Sequence, residues 1–242
     1  MNDLKKLGQP WSVSWSETWW RGLLVIIIYF VIRTAAEISL MLNNLPDQSV
    51  ASVTEALVAM TANPILFLLK EIALVLLVLL LLKLFQLPLL KGLHFEGDKV
   101  KWTLKIFVFM YLLEILFSGL VTWLQPEYAG PDNQAAVESM LGVLPYPIFF
   151  FMVVIAAPIV EEIICRGMVM TYILPKYPWV GALVAVLFFV FLHGPANITD
   201  FMTYFILSLG ITFVYLKTRR IEYAIMVHML QNFIAAIAML FI

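Results

Sequence analysis

Charge is what this chain has least of. Asp, Glu, Lys and Arg together make up 13% of its 242 residues, against 63% apolar residues, and the formal net charge is −1. Soluble globular chains run closer to a quarter charged and half apolar. So few charges cannot cover a water-facing surface, which excludes a soluble enzyme. The high apolar content equally excludes a disordered chain. A near-neutral balance gives no electrostatic support for nucleic acid as a partner. With one cysteine, Cys165, there is neither an internal disulfide nor a cysteine-rich metal site. Two motifs are missing as well: there is no GxSxG elbow to expose a serine nucleophile, and no HExxH to bind zinc from one helix. Repeats, low-complexity tracts and linkers are absent too. The expectation is a single integral membrane domain over residues 1–242, with the bilayer as its first partner.

What is present is a series of apolar runs long enough to cross a bilayer. Seven are read, at residues 19–42, 64–82, 102–124, 147–173, 179–193, 201–216 and 223–242. The fold class expected is therefore all-α, a polytopic bundle of about seven spans, with the fifth and sixth short. Loop charges support the count. Lys5, Lys6, Arg21, Lys83, Lys91, Lys99, Lys101, Lys176, Lys217, Arg219 and Arg220 lie before or at the start of the first span or around the turns after the second, fourth and sixth. The alternate segments, 43–63, 125–146 and 194–200, hold no Lys or Arg but carry Asp47, Glu55, Glu127, Asp132, Glu138 and Asp200. Lys and Arg gather on the cytoplasmic side, so the N-terminus is expected inside and the C-terminus outside. No signal peptide is expected, because no small-residue cleavage site precedes Arg33. Trp11, Trp15 and Trp19 recur every four residues, the pattern of an interfacial helix.

An ionisable residue at mid-membrane costs about 2.5–3.5 kcal/mol on insertion scales, so each one inside a span needs a reason. Arg33 and Glu37 are four apart and can pair along one helix. Lys70 and Glu71 can snorkel or meet another helix. Glu114 has no partner in its own span. The fourth span reads Ala156-Ala157-Pro158-Ile159-Val160-Glu161-Glu162-Ile163-Ile164-Cys165-Arg166. Its two carboxylates point about 100° apart on a helix. Glu162 and Arg166 are spaced to pair, which leaves Glu161 without a local partner. Pro158 removes a backbone N–H and is expected to kink the helix. Of three histidines, His193 and His228 fall inside spans, and Asn232 lies one turn after His228. Asn197 is four residues after His193, but Pro195 makes a continuous helix there doubtful.

Depth tests whether these groups can meet. Along a helix, Glu161 is about 18 Å and His193 about 21 Å from the turn joining spans four and five. From the turn before the last span, His228 is about 10 Å and Asn232 about 16 Å away. With helix tilt, all four can reach a common level. A carboxylate, two imidazoles and a carboxamide in a low-dielectric cavity suit hydrolysis. Glu161, helped by His193, can deprotonate a water, while His228 and Asn232 hydrogen-bond the oxyanion. Glu161, His193 and His228 can equally hold a Zn²⁺ or another divalent metal with an open position. The sequence does not choose between a metal cofactor and none.

These residues resemble a known family. Glu161-Glu162-x-x-x-Arg166, then Phe189-x-x-x-His193, then His228-x-x-x-Asn232 are similar to the three ordered motifs of the CAAX protease and bacteriocin-processing (CPBP) family of intramembrane endopeptidases, related to the type II CAAX prenyl endopeptidase. The resemblance covers about residues 145–242. It implies Glu161 as the water-activating base with His193 beside it, Glu162 and Arg166 in support, and His228 with Asn232 on the oxyanion side. Members are called metalloproteases, yet a metal-independent glutamate mechanism is also argued, so the metal stays open. The short loops look bacterial, which implies the bacterial cell membrane and substrates of the peptide-processing, bacteriocin-immunity or signalling-peptide kind. Two alternatives stand beside an endopeptidase acting on a membrane-associated peptide or protein. One is a non-catalytic immunity or chaperone-like partner. The other is a proton-coupled transporter, which the lack of an inverted repeat with broken helices weakens.

Overall fold

A computed structural model describes residues 8–44 and 53–241. Lys5, Lys6 and Asp47, counted among the loop charges, and Ile242, the end of the last expected span, lie outside them. All regular structure among the described residues is helical: α1 (Trp15–Asn44), α2 (Val53–Thr61), α3 (Pro64–Leu84), α4 (Gly97–Leu124), α5 (Asp132–Leu141), α6 (Tyr146–Ile173), α7 (Pro178–Leu192), α8 (Ile198–Thr218) and α9 (Ile221–Met239). In hydrocarbon every backbone polar group must be satisfied internally, and a helix does this within one segment. Six of the nine are long and apolar enough to cross a membrane; α7, with 15 residues, is a shorter apolar helix. The sixth expected span proves longer than the sequence suggested, 21 residues instead of 16. Polar Thr199 and Asp200 masked its first turn.

The ends follow local chemistry. Asn63 accepts from the backbone N–H of Leu66 and caps α3, whose first residue is Pro64. Asn197 caps α8 by accepting from Thr199 and Asp200. The helix therefore does break between His193 and Asn197. Gly194 adopts φ +59° just after α7, a conformation open to glycine. Fifteen helical residues span about 22 Å, less than the ~30 Å hydrocarbon thickness, so α7 ends at depth, and in the turn after it the Ala196 N–H donates to Asp200.

The segments expected on alternate sides do collect at opposite ends of the bundle. At the basic end, Trp11 N–H donates to the Pro175 carbonyl at 2.8 Å, Arg219 reaches Gln9, and Arg220 reaches Gly92. At the acidic end, Tyr128 donates to Asp200 and Thr199 to Gln125. The tryptophan stripe divides: Trp15 and Trp19 stack on α1, whereas Trp11 precedes the helix and stacks on Tyr215 at 4.9 Å.

The core centres on α6. Ten consecutive residues, Ile163 to Tyr172, are buried. Helix α1 approaches it closely at Gly22, where a Cβ would meet Ile173 and Tyr172 side-chain carbons at 3.2 Å. Small residues serve this purpose where helices associate in lipid. By contrast, α1 and α4 leave large apolar side chains such as Val31 and Leu116 exposed, at 64% and 69%.

Pro158 does not simply kink α6. Residues Phe151–Ala156 and Ile163–Ile173 are wound as π-helix, on either side of an α-helical turn at Ala157–Glu162. In π register each N–H reaches back five residues, as Ala157 does to Met152. The next N–H would reach Val153, but residue 158 is proline and has none. The Asn232 side chain donates to the Val153 carbonyl instead, at 2.8 Å.

Candidate functional site

Helices α6, α7 and α9 bring the motif residues to one cavity of about 760 Å³, and Glu161, His193, His228 and Asn232 all line it. Glu162 and Arg166 lie behind its wall, fully buried.

Arg166 organises that wall. Its guanidinium donates to Glu162 at 2.9 Å, to the Ser208 carbonyl and hydroxyl at 2.9 and 2.7 Å, and to the Thr212 hydroxyl at 3.2 Å. It also sits 4.9 Å above the Phe189 ring. A planar fork of fixed donors suits such a site better than an ammonium. Ser208 and Thr212, one turn apart on α8, were not singled out in the sequence; the four-residue spacing of two hydroxyls on an apolar span was the available signal.

The expected Glu162–Arg166 pair thus forms, and it carries a third member. His228 shares the same Glu162 oxygen, with Nδ1 at 2.8 Å. A carboxylate only accepts, so Nδ1 carries the proton and neutral His228 keeps Nε2 as an acceptor. That Nε2 lies 3.8 Å from Glu161 Oε2. The two adjacent carboxylates, turned apart on α6, are therefore spanned by one imidazole. His193, expected beside Glu161, lines the same cavity. Among the described residues the histidine within ion-pair distance of Glu161 is His228. His193 instead donates from Nδ1 to the Phe189 carbonyl at 2.8 Å, and its ring lies between Phe189 and Tyr204, 4.4 Å from each. Its Nε2 is the acceptor left to the cavity. Phe189, the first residue of its motif, touches Arg166, His193 and His228 together.

A catalytic zinc needs three protein ligands converging within about 2.0–2.3 Å of one point. Among the described residues no group of three His, Cys, Asp or Glu side chains is so arranged. Glu161, His193 and His228 are therefore not drawn together as a three-ligand cradle, although the Nδ1 bonds of the two imidazoles leave each Nε2 free. Cys165 is buried away from the cavity.

The remaining intramembrane charges line the same cavity from α1, α3 and α4. Arg33 pairs with Glu37 at 2.8 Å, as the spacing predicts. Lys70 pairs with Glu71 at 2.7 Å and approaches Glu37 of α1 at 3.9 Å. Glu114 accepts from Gln231 of α9 at 2.5 Å.

Residues 143–234 match the profile described as "Type II CAAX prenyl endopeptidase Rce1-like", a stretch that contains all three motifs. Over this region, 92 of 242 residues, the chain is similar to the Rce1-like family. The chain is also similar to UPF0177 protein YvdC of Lactococcus lactis subsp. lactis (strain IL1403), at 28% identity over 55% of this chain. That match spans 53% of the relative's length, about half of it. No solved structure matches. The Rce1-like stretch and six membrane-length helices make this an integral membrane protein. Arg33, Glu37, Lys70, Glu71 and Glu114 precede the Rce1-like stretch, so the cavity is walled on one side by residues outside it.

Proposed function

We propose that the protein is an intramembrane endopeptidase that hydrolyses a peptide bond of a membrane-associated peptide or protein through a water activated by Glu161. One observation carries the reading: side chains from three separate segments line one cavity, and among the described residues its motif carboxylate Glu161 has no hydrogen-bond donor.

In this mechanism the water donates a proton to Glu161 as its oxygen attacks the carbonyl carbon. His193 Nε2 accepts from the same water and orients it. Asn232 has a second N–H beyond the one given to Val153, and that N–H donates to the oxyanion. His228 joins it only as imidazolium, because its Nδ1–H is committed to Glu162. Glu161 then returns its proton to the leaving amine. Glu162 and Arg166 set the height and orientation of His228 from behind. No step is routed through a metal.

The reading includes a single membrane domain with the N-terminus cytoplasmic, and a bacterial cell membrane, which the Lactococcus relative supports. Reconstituted into liposomes with membrane-spanning peptides, the wild-type chain is expected to cleave. Glu161→Gln should lower the rate about 10²–10⁴-fold, the usual worth of a positioned base. Cleavage that survives both Glu161→Gln and His193→Ala overturns the reading.

A further inference from the structure

Glu114 is unlike the other charges around the cavity. Glu37 and Glu71 each have a cation at salt-bridge distance, Arg33 and Lys70. Glu161 faces His228 at 3.8 Å. Among the described residues Glu114 has only a neutral partner, Gln231, which donates to its Oε2 at 2.5 Å. Its other oxygen, Oε1, is buried with no partner among the described residues, and so is Gln231 Oε1. Buried polar atoms are nearly always partnered. Two open acceptors on adjoining side chains of one cavity call for a donor that arrives from outside. A positively charged donor with several N–H groups satisfies both and also neutralises the carboxylate.

Position adds a register. Gln231 follows His228 by three residues on α9, about 4.5 Å along the axis. An extended peptide advances about 3.3 Å per residue. A chain laid along α9 with its scissile carbonyl at Glu161 and His228 therefore brings a side chain one or two residues away to Glu114.

We infer that Glu114 and Gln231 form a subsite for a lysine or arginine side chain of the substrate, one or two residues from the bond that is cut. The inference rests on the endopeptidase reading and supplies its specificity.

The test uses full-length protein in lipid nanodiscs and two fluorescent membrane-spanning peptides that differ at one position, lysine against norleucine. Binding is measured first, on Glu161→Gln, in which cleavage is suppressed. The lysine peptide should bind on the order of 10- to 100-fold more tightly, the worth of one charge-assisted contact. That preference should fall to about one in Glu161→Gln/Glu114→Gln. Equal binding of the two peptides to Glu161→Gln, at every position within two residues of the cut, overturns the inference. So does a lysine preference that survives Glu114→Gln. Using the ratio of two peptides on one protein sample removes any effect of misfolding, and Gln231→Leu provides a second variant with the same expected loss of preference. Wild-type protein is then assayed for cleavage. Lysine-selective binding without cleavage retains the subsite and sinks the endopeptidase, whereas Glu161-dependent cleavage without selectivity does the reverse.

Discussion

The two sides of the cavity hold their charges in different ways. On the α6–α9 side, Glu162, Arg166 and His228 are almost wholly buried, and Arg166 has its donors spent on Glu162, Ser208 and Thr212. On the α1–α3 side, Arg33 and Glu37 pair with side chains 43% and 28% exposed, and Lys70 serves two carboxylates at unequal distances. The first arrangement tolerates no alternative partners and fixes geometry. The second can exchange partners at small cost. A rigid wall carrying the motif residues thus faces a more adaptable wall carrying charge.

The largest effect that would break this contrast is at Arg166. Removing one partner of a buried pair costs about 3–5 kcal/mol, so Arg166→Met should lower the unfolding midpoint in detergent sharply. The single thiol of Cys165, fully buried, reports unfolding through maleimide labelling. A midpoint unchanged from wild type would mean that the wall is not held as drawn. Next comes Asn232→Ala, which leaves the Val153 carbonyl open and should cost about 1–3 kcal/mol. Pro158→Ala restores a backbone N–H to pair there. In a double-mutant cycle the two should couple by about 0.5–3 kcal/mol, with the proline replacement offsetting part of the asparagine loss; strict additivity would remove the link between α6 and α9. Where the two walls meet, Gly22→Leu should push α1 from α6 and cost about 1–3 kcal/mol, while Gly119→Ala, with nothing within 4 Å of its Cβ position, should be neutral or slightly stabilising. Below the Gly22 replacement comes Arg33→Gln, expected at under about 1 kcal/mol because the pair opens on the cavity and Lys70 still lies 3.9 Å from Glu37. A cost matching that of Arg166→Met would erase the contrast between the walls.

Much of this was readable from the chain alone, for physical reasons. Burying backbone in lipid demands long apolar helices, so the spans declare themselves. Helical rise then gives depth, which is why Glu161, His193, His228 and Asn232 could be set at one level. Facing directions were not readable. Whether His193 or His228 lies nearer Glu161 depends on π-helical turns in α6, and these shift the direction of every residue beyond them. Gln231 reads as a neighbour of Asn232, and only the packing of α4 on α9 joins it to Glu114. Helices α2 and α5 sit in segments read as loops, where short runs of Ala, Leu and Met form helix without a span's length.

The bond from Asn232 to Val153 has one more consequence. A single contact between two helices sets their separation and lets one roll against the other. Here α9 meets α6 at two polar points, His228 to Glu162 and Asn232 to Val153, about 6 Å apart along α9. Two points define an orientation. Rolling α9 would strand the Val153 carbonyl and strip Glu162 of one of its two donors together, so the absent N–H of one proline acts as a keyway that locks the rotation of a neighbouring helix.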